Sequence, residues 1–346
     1  MEVLTLEKIC EAKSSNIAQK DLENNNGCYP IYGASGFIKN VDFYKFERPY
    51  LAIVKDGAGV GRVMSLPGKS SIIGTMQAIL PNDNIDIDYL FYYLKSKNLG
   101  KYYTGATIPH IYFKDYKKEK CNVYSLEEQR IVSKKLKLID SMIDYKNKQI
   151  EQLNQLIKSQ FVEMFKGCPQ TKLCEIANIT MGQSPNSESY NDSADGTPFF
   201  QGKADYGDKY TIVKHWTNQP SKIAYKGDVL MSVRAPVGPV NIASCDCCIG
   251  RGLCSITAKD GLTNNEFLFN ALNTIQEEIA SKGTGSTFKA ITKNDVYNIE
   301  LPLGSIELQN KFAQIVEQID KQKFEFENSL KKLEELQASL MQEYFG

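Results

Sequence analysis

Two 41-residue segments of this 346-residue chain align without a gap at an offset of 180. Segment 125–165 reads SLEEQRIVSKKLKLIDSMIDYKNKQIEQLNQLIKSQFVEMF, and segment 305–345 reads SIELQNKFAQIVEQIDKQKFEFENSLKKLEELQASLMQEYF. Ser125, Glu127, Gln129, Ile139, Asp140, Leu153, Leu156, Ser159, Glu163 and Phe165 each recur 180 residues later. Val132, Leu136, Ile139, Ile143, Lys146, Ile150, Leu153, Ile157, Gln160 and Met164 step alternately by 4 and 3, a heptad seam apolar at eight of ten positions. Phe312, Val316, Ile319, Lys323, Phe326, Leu330, Leu333, Gln337, Leu340 and Tyr344 repeat it, again eight of ten. Neither run contains Pro or Gly, and Gly167 and Pro169 stop the first. Ser125 with Glu128 forms a capping box, whereas Leu308 replaces that Glu and leaves Ser305 to cap alone. Each helix is about 60 Å long, and an amphipathic helix of that length needs a partner. The other copy is the nearest partner, so the repeat predicts an antiparallel coiled coil within one chain, with Leu136, Ile143, Leu153, Val316, Leu330 and Leu333 in its seam.

The segments before the helices repeat more loosely. TGATIPHIYFKD (104–115) matches TGSTFKAITKND (284–295), TMQAIL (75–80) matches GLCSIT (252–257), and DYLFYYL (88–94) matches EFLFNAL (266–272). YLAIVKDGAGVG (50–61) stands where DVLMSVRAPVGP (228–239) stands. Short β-rich runs bounded by turn residues predict strands over 29–32, 50–54, 61–66 and 76–80, then over 197–200, 228–233, 240–244 and 253–257. Helices are expected over 85–98 and 265–281. The expected architecture is α+β with pseudo-twofold internal symmetry: two α/β domains at 1–124 and 168–304, separated by helices at 125–167 and 305–346.

Composition excludes several classes. Hydrophobic residues make up 42% and charged residues 24%, enough apolar surface for packed cores. No apolar run approaches the ~20 residues of a membrane span. Residues 1–20 show no secretory h-region, and nine scattered cysteines read as reduced cytosolic thiols. The expected location is the cytoplasm.

Catalytic equipment is sparse. DGAGVGR (56–62) looks like a phosphate loop, but such a loop should open a helix, and here VMSLPG follows, which is strand and turn. Gly57, Gly59 and Gly61 therefore read as turn residues. No Asn-Pro-Pro-aromatic or Asp-Pro-Pro-aromatic tetrapeptide is present, and the chain has two histidines, His110 and His215. Cys245, Cys247, Cys248 and Cys254 lack the spacing of a zinc site and read as small buried strand residues. Nothing forms a nucleophile, base and orienter set, so no enzyme activity, metal or cofactor is expected.

Two variable halves, each followed by a long helix opening S-[LI]-E-x-Q, resemble the specificity (S) subunits of type I restriction-modification systems. LEKICEAKSS (6–15), LCEIANITMGQSP (173–185), GTPFFQG (196–202), YKGDVL (225–230), TGST (284–287) and IELPLGSIELQ (299–309) carry the resemblance over essentially the whole chain. It implies two target recognition domains, each reading half of a bipartite double-stranded DNA sequence. The helices would hold them apart and dock two modification (methyltransferase) subunits, which bring the S-adenosylmethionine chemistry, and restriction subunits would then join. The two domains differ in sequence, so the implied target is asymmetric. A coiled-coil scaffold without DNA readout is the competing class.

Charge points away from DNA at first sight. Lys plus Arg and Asp plus Glu are 41 each; residues 1–124 hold 16 basic and 13 acidic residues, and 168–304 hold 12 and 14. A strongly basic footprint is missing, so partner subunits are expected to supply much of the phosphate contact. Base reading needs polar side chains on loops that reach a groove. The candidates are Lys13, Ser14, Ser35, Lys55, Arg62, Thr107 and His110 in the first half, and Gln183, Ser184, Gln201, Lys203, Arg234, Thr287 and Lys289 in the second. For each one, a solvated loop or a local turn hydrogen bond is the alternative. His215 and Trp216 either stack or pack.

Overall fold

A computed structural model describes residues 1–105, 109–283 and 289–346. The chain forms two compact units, residues 1–147 with 327–346, and residues 148–326.

In the first unit a four-stranded antiparallel sheet runs in the order Cys10–Ser14, Met76–Pro81, Tyr50–Val54, Val63–Leu66. All five residues of Tyr50–Val54 are buried, which is why this central strand reads as an unbroken apolar run. A three-stranded sheet orders Gly36–Val41, Tyr29–Gly33 and Ser71–Ile72, the last pair parallel. Glu2–Thr5 pairs with Lys120–Val123. The helix Ile87–Ser96 starts at Asp86, whose carboxylate accepts from Tyr89 N at 2.9 Å.

The second unit repeats this plan. Its four-stranded sheet runs Ala177–Met181, Leu253–Ala258, Val229–Ser232, Val240–Ile242. A five-stranded sheet runs Tyr190–Asn191, Trp216–Thr217, Thr197–Phe200, Cys247–Ile249, Ile223–Ala224, with Thr197–Phe200 and Cys247–Ile249 parallel. Gln170–Lys172 pairs with Glu300–Pro302, and Asn264 caps the helix Asn265–Thr274 by accepting from Phe267 N at 2.8 Å. The helix expected over 265–281 is divided at Ile275, with Gln276–Ser281 beyond the break. Thr274 Oγ1 donates to Asn270 O at 2.8 Å, and such back-bonding bends helices.

The long helices are Leu126–Met164 and Ile306–Phe345. Ser125 and Glu128 form the expected capping box: Glu128 N donates to Ser125 Oγ at 3.3 Å, and Ser125 N to Glu128 Oε2 at 3.0 Å. Ser125 holds the Glu128 carboxyl below its ordinary pKa. Ser305 caps alone, accepting from Leu308 N at 3.3 Å. Gly167, at φ +79°, turns the chain after the first helix. All twenty seam positions are buried or half-buried.

The repeated Gln of S-[LI]-E-x-Q is fully buried in both copies. In the first unit Gln129 Oε1 accepts from Asp86 N at 2.8 Å, and its Nε2 donates to Asn84 O at 3.1 Å and Tyr124 O at 2.9 Å. In the second, Gln309 Oε1 accepts from Asn264 N at 3.2 Å and Thr263 Oγ1 at 3.0 Å, and its Nε2 donates to Leu262 O at 3.1 Å and Gly304 O at 3.0 Å. Each amide thus ties the start of a long helix to the cap of the domain helix.

The closing Phe of each long helix also has a defined place. Phe345 packs in the first unit's core, its ring 5.1 Å from Tyr89 and 6.1 Å from Tyr93. Phe165 packs in the second unit's core, 4.9 Å from Phe267 and 5.7 Å from Phe312. Polar side chains seat the helices beside these rings. Asp140 accepts from Tyr92 Oη and Gln337 Nε2, each at 2.6 Å. Burial, together with that bond to Asp140, pushes the Tyr92 hydroxyl pKa up and keeps it a neutral donor. Lys209 pairs with Glu266 at 2.9 Å and Asp320 at 2.6 Å, and Lys323 with Asp208 at 2.9 Å.

Replacing Phe345 or Phe165 by Ala leaves a ring-sized space in one core. Each substitution is expected to cost about 3 kcal/mol, read as a lower denaturant midpoint; an unchanged midpoint would place the ring outside the cooperative core.

Candidate nucleic-acid interface

Backbone hydrogen bonds stitch five loops together along one edge of each unit. In the second, Gln183 N donates to Ile249 O at 3.0 Å, Gly250 N to Phe200 O at 2.8 Å, and Arg251 N to Ser184 Oγ at 3.2 Å. Val233 N donates to Gly252 O at 2.9 Å and Ile291 N to Val233 O at 3.0 Å, and Arg234 bridges Ala290. In the first unit Ile73 N donates to Tyr32 O at 3.0 Å, Gly74 N to Ile17 O at 2.8 Å, Lys55 N to Thr75 O at 3.0 Å and Ile111 N to Lys55 O at 2.9 Å, and Asp56 bridges His110. The same ladder is therefore built twice.

Two glycines let the loops after the central strands approach neighbouring backbone closely. A Cβ on Gly61 would lie 2.4 Å from Gly100 N, and one on Gly238 would lie 2.7 Å from Gln276 O. Both have positive φ, +86° and +105°, so any side chain would be strained as well as crowded. The glycines of DGAGVG thus serve a turn, with Gly57 also at positive φ.

Matching the ladders rung by rung pairs Gly33 with Gln201, Ser35 with Lys203, Asp56 with Arg234, Gly74 with Arg251 and Pro109 with Lys289. The backbone agrees while the side chains do not. Lys203, Arg234, Arg251 and Lys289 are exposed, and none of them forms an ion pair among the described residues. Thus four of the 12 basic residues of segment 168–304 stand on one edge of a segment with 14 acidic ones. Segment totals hide that concentration.

The sequence-chosen residues fall unevenly on this edge. Gln183, Ser184, Gln201, Lys203, Arg234 and Lys289 lie on the stitched loops, as do Ser35, Lys55, Arg62 and His110. Arg62 Nη2 donates to Ala34 O. Lys55 is half-buried, its ammonium 4.0 Å from Asp56. Lys13 and Ser14 are instead inside a strand, opposite Ala78 and Gln77, and Lys13 pairs with Glu11 at 3.3 Å. By the ladder, Asn16 and Ile17 are the counterparts of Gln183 and Ser184. Thr107 and Thr287 lie outside the described residues. Arg251 and Asp56 escaped the sequence reading; Arg251, between Gly250 and Gly252 just before a strand, carried a turn signal that could have found it. Trp216 is half-buried in the five-stranded sheet, and His215 Nδ1 is 2.6 Å from Asp192 Oδ1.

Asp205 fixes the loop that carries Gln201 and Lys203. It is buried and accepts from Gln201 N at 2.6 Å and Gly202 N at 3.3 Å. The cysteines of 245–254 behave as core residues: Cys247, Cys248 and Cys254 are buried in strands, and burial pushes the Cys254 thiol up to about 12. Among the described residues no group of three His, Cys, Asp or Glu side chains is placed to hold a metal, and no helix is long and apolar enough to cross a membrane.

One scaffold is thus built twice with different polar tips. The family of type I restriction modification DNA specificity domains matches residues 1–155 and 168–338. The chain belongs to that family: it is a non-catalytic specificity subunit of a type I restriction-modification system. The MjaX type I restriction enzyme specificity subunit of Methanocaldococcus jannaschii is 37% identical, over 79% of this chain and 73% of its own. The MjaVIII specificity subunit of the same organism is 25% identical over 87% and 81%. A chain solved in work on complex assembly and conformational transition of the type I system superposes with a TM-score of 0.63 at 25% identity, covering 99% of this chain and 97% of that one. An S subunit from M. genitalium shares the fold, with a TM-score of 0.64 at 17% identity over 100% and 96%.

Asp205→Ala strands two backbone N–H groups. It is expected to lower stability by about 2 kcal/mol, seen as a lower melting temperature; a melt equal to the parent's would show that the loop holds its shape without the carboxylate.

Proposed function

We propose that segments 1–124 and 168–304 are two target recognition domains that read the halves of an asymmetric, bipartite double-stranded DNA target through their stitched loop edges. Segments 125–167 and 305–346 form the spacer, an antiparallel coiled coil that docks two modification subunits. Restriction subunits join that complex, and it works in the cytoplasm. The observation that carries the reading is the repeated ladder with unlike tips: like backbones address DNA alike, and unlike side chains select unlike sequences. A scaffold without DNA readout gives the four unpaired tip cations nothing to do.

Support for the spacer comes from each unit separately. Asp140 meets Gln337 in the first, and Phe161 meets Phe312, centroids 5.4 Å apart, in the second. The seam residues Leu136, Ile143, Leu153, Val316, Leu330 and Leu333 are all buried or half-buried.

Replacing 168–304 by the corresponding segment of another specificity subunit tests modularity. Methylation-sensitive sequencing of DNA modified by the assembled complex should then show one new half-site, with the other half-site and the gap retained. Both halves changing together would refute two independent readers.

The spacer has its own test. Four residues inserted after Lys158 add about 6 Å to that helix and turn it a little over once, nearly preserving the seam. At ~3.4 Å per base pair, the methylated motif should gain one or two base pairs in its gap with unchanged half-sites. An active complex with the original gap would mean that the domains or the modification subunits set the spacing.

A further inference from the structure

The second unit's edge carries two arginines held in a way that suits base reading. Arg251 lies between Gly250 and Gly252, and its N–H is fixed by Ser184 Oγ at 3.2 Å. Arg234 is held by its bridge to Ala290, and its carbonyl accepts from Ser232 Oγ at 3.0 Å. The two loops are joined by the Val233 N to Gly252 O bond of 2.9 Å. Both residues are exposed, and neither has an acidic partner among the described residues. A loop backbone already held spares its own ordering on binding, and the planar fork of an unpaired guanidinium matches the O6 and N7 acceptors of guanine. At the equivalent rungs the first unit has Asp56 and Gly74. A carboxylate has no donor for those acceptors, and glycine has no side chain at all.

We propose that Arg234 and Arg251 are specificity-determining residues that each read a guanine in the half-site bound by the second unit. Lys203 and Lys289, on the flanking loops, meet the phosphates and supply affinity without sequence preference. The first unit's half-site is read without an arginine at these two rungs, so the two halves of the target differ there. This rests on the reading of the stitched edges as the DNA face.

The test uses the full chain assembled with its modification subunits and a plasmid library of randomised sites, with methylated motifs found by sequencing. The parent complex should mark a bipartite motif with at least two guanines in the second unit's half-site, the half that changes on exchange of 168–304. Arg234→Ala should relax one guanine and Arg251→Ala another, each with a tenfold or greater loss of discrimination at that position and no change in the other half-site or the gap. Arg251→Lys and Arg234→Lys keep the charge and lose the fork, so they should relax the same positions while retaining most of the overall binding; they also separate a reading defect from a folding defect. Lys203→Ala and Lys289→Ala should lower methylation evenly across sequences and reduce the salt slope of binding by about one each. Guanines that survive both arginine substitutions in an otherwise bipartite motif would overturn this assignment alone. A parent complex that marks no bipartite motif would overturn the DNA-face reading as well.

Discussion

A single buried amide in each unit decides where its long helix leaves its globular part. Gln129 and Gln309 carry both a donor and an acceptor into a fully buried site, and each finds backbone partners on both sides. Buried polar groups that are fully bonded impose geometry, because any shift leaves a donor or acceptor stranded. The amide binds the first turn of the long helix to the cap of the shorter domain helix, so the two cannot rotate independently.

Each core is also finished by side chains that arrive from far along the chain. Residues 1–124 alone lack the ring of Phe345, which packs on Tyr89 and Tyr93. Residues 168–304 alone lack Phe161 and Phe165, which pack on Phe267. Burial of such rings is the main favourable term available to domains of this size. Polar pairs then choose the seating: Asp140 with Tyr92 in one unit, Lys209 with Glu266 and Asp320 in the other. For Lys209, burial alone would lower the pKa, but the two carboxylates more than offset it and hold the ammonium charged. A charge kept there without either acid would be expensive.

The loop edge divides its work between backbone and side chains. Main-chain bonds, with Ser184 Oγ and the Asp205 carboxylate, hold the loops, and Lys203, Arg234, Arg251 and Lys289 take no part in an ion pair among the described residues. That division lets one fold carry Gln201, Lys203, Arg234, Arg251 and Lys289 in one copy and Gly33, Ser35, Asp56, Gly74 and Pro109 in the other. Affinity for phosphate follows charge, while preference for a base follows the shape of a donor or acceptor pattern.

Periodicity and self-comparison were sufficient for the long helices, their caps, the central strands and the twofold plan, because all of these are local patterns or copies of one another. The run YLAIV reads as a buried strand, which it is, and the 4–3 stepping from Val132 to Met164 reads as a helix with one apolar face, which the helix Leu126–Met164 provides. The candidate site was legible by residue type but not by position. Lys13 and Gln183 occupy similar places along their segments, yet the pairing of strand Cys10–Ser14 with Met76–Pro81 puts Lys13 inside a sheet, while Gln183 is on a loop. Arg234 aligns with Asp56 and Arg251 with Gly74 only through hydrogen bonds between strands and loops distant in sequence. Which tips share an edge, and which cations are left without partners, depends on long-range pairing that no local pattern encodes; tertiary structure alone decided it.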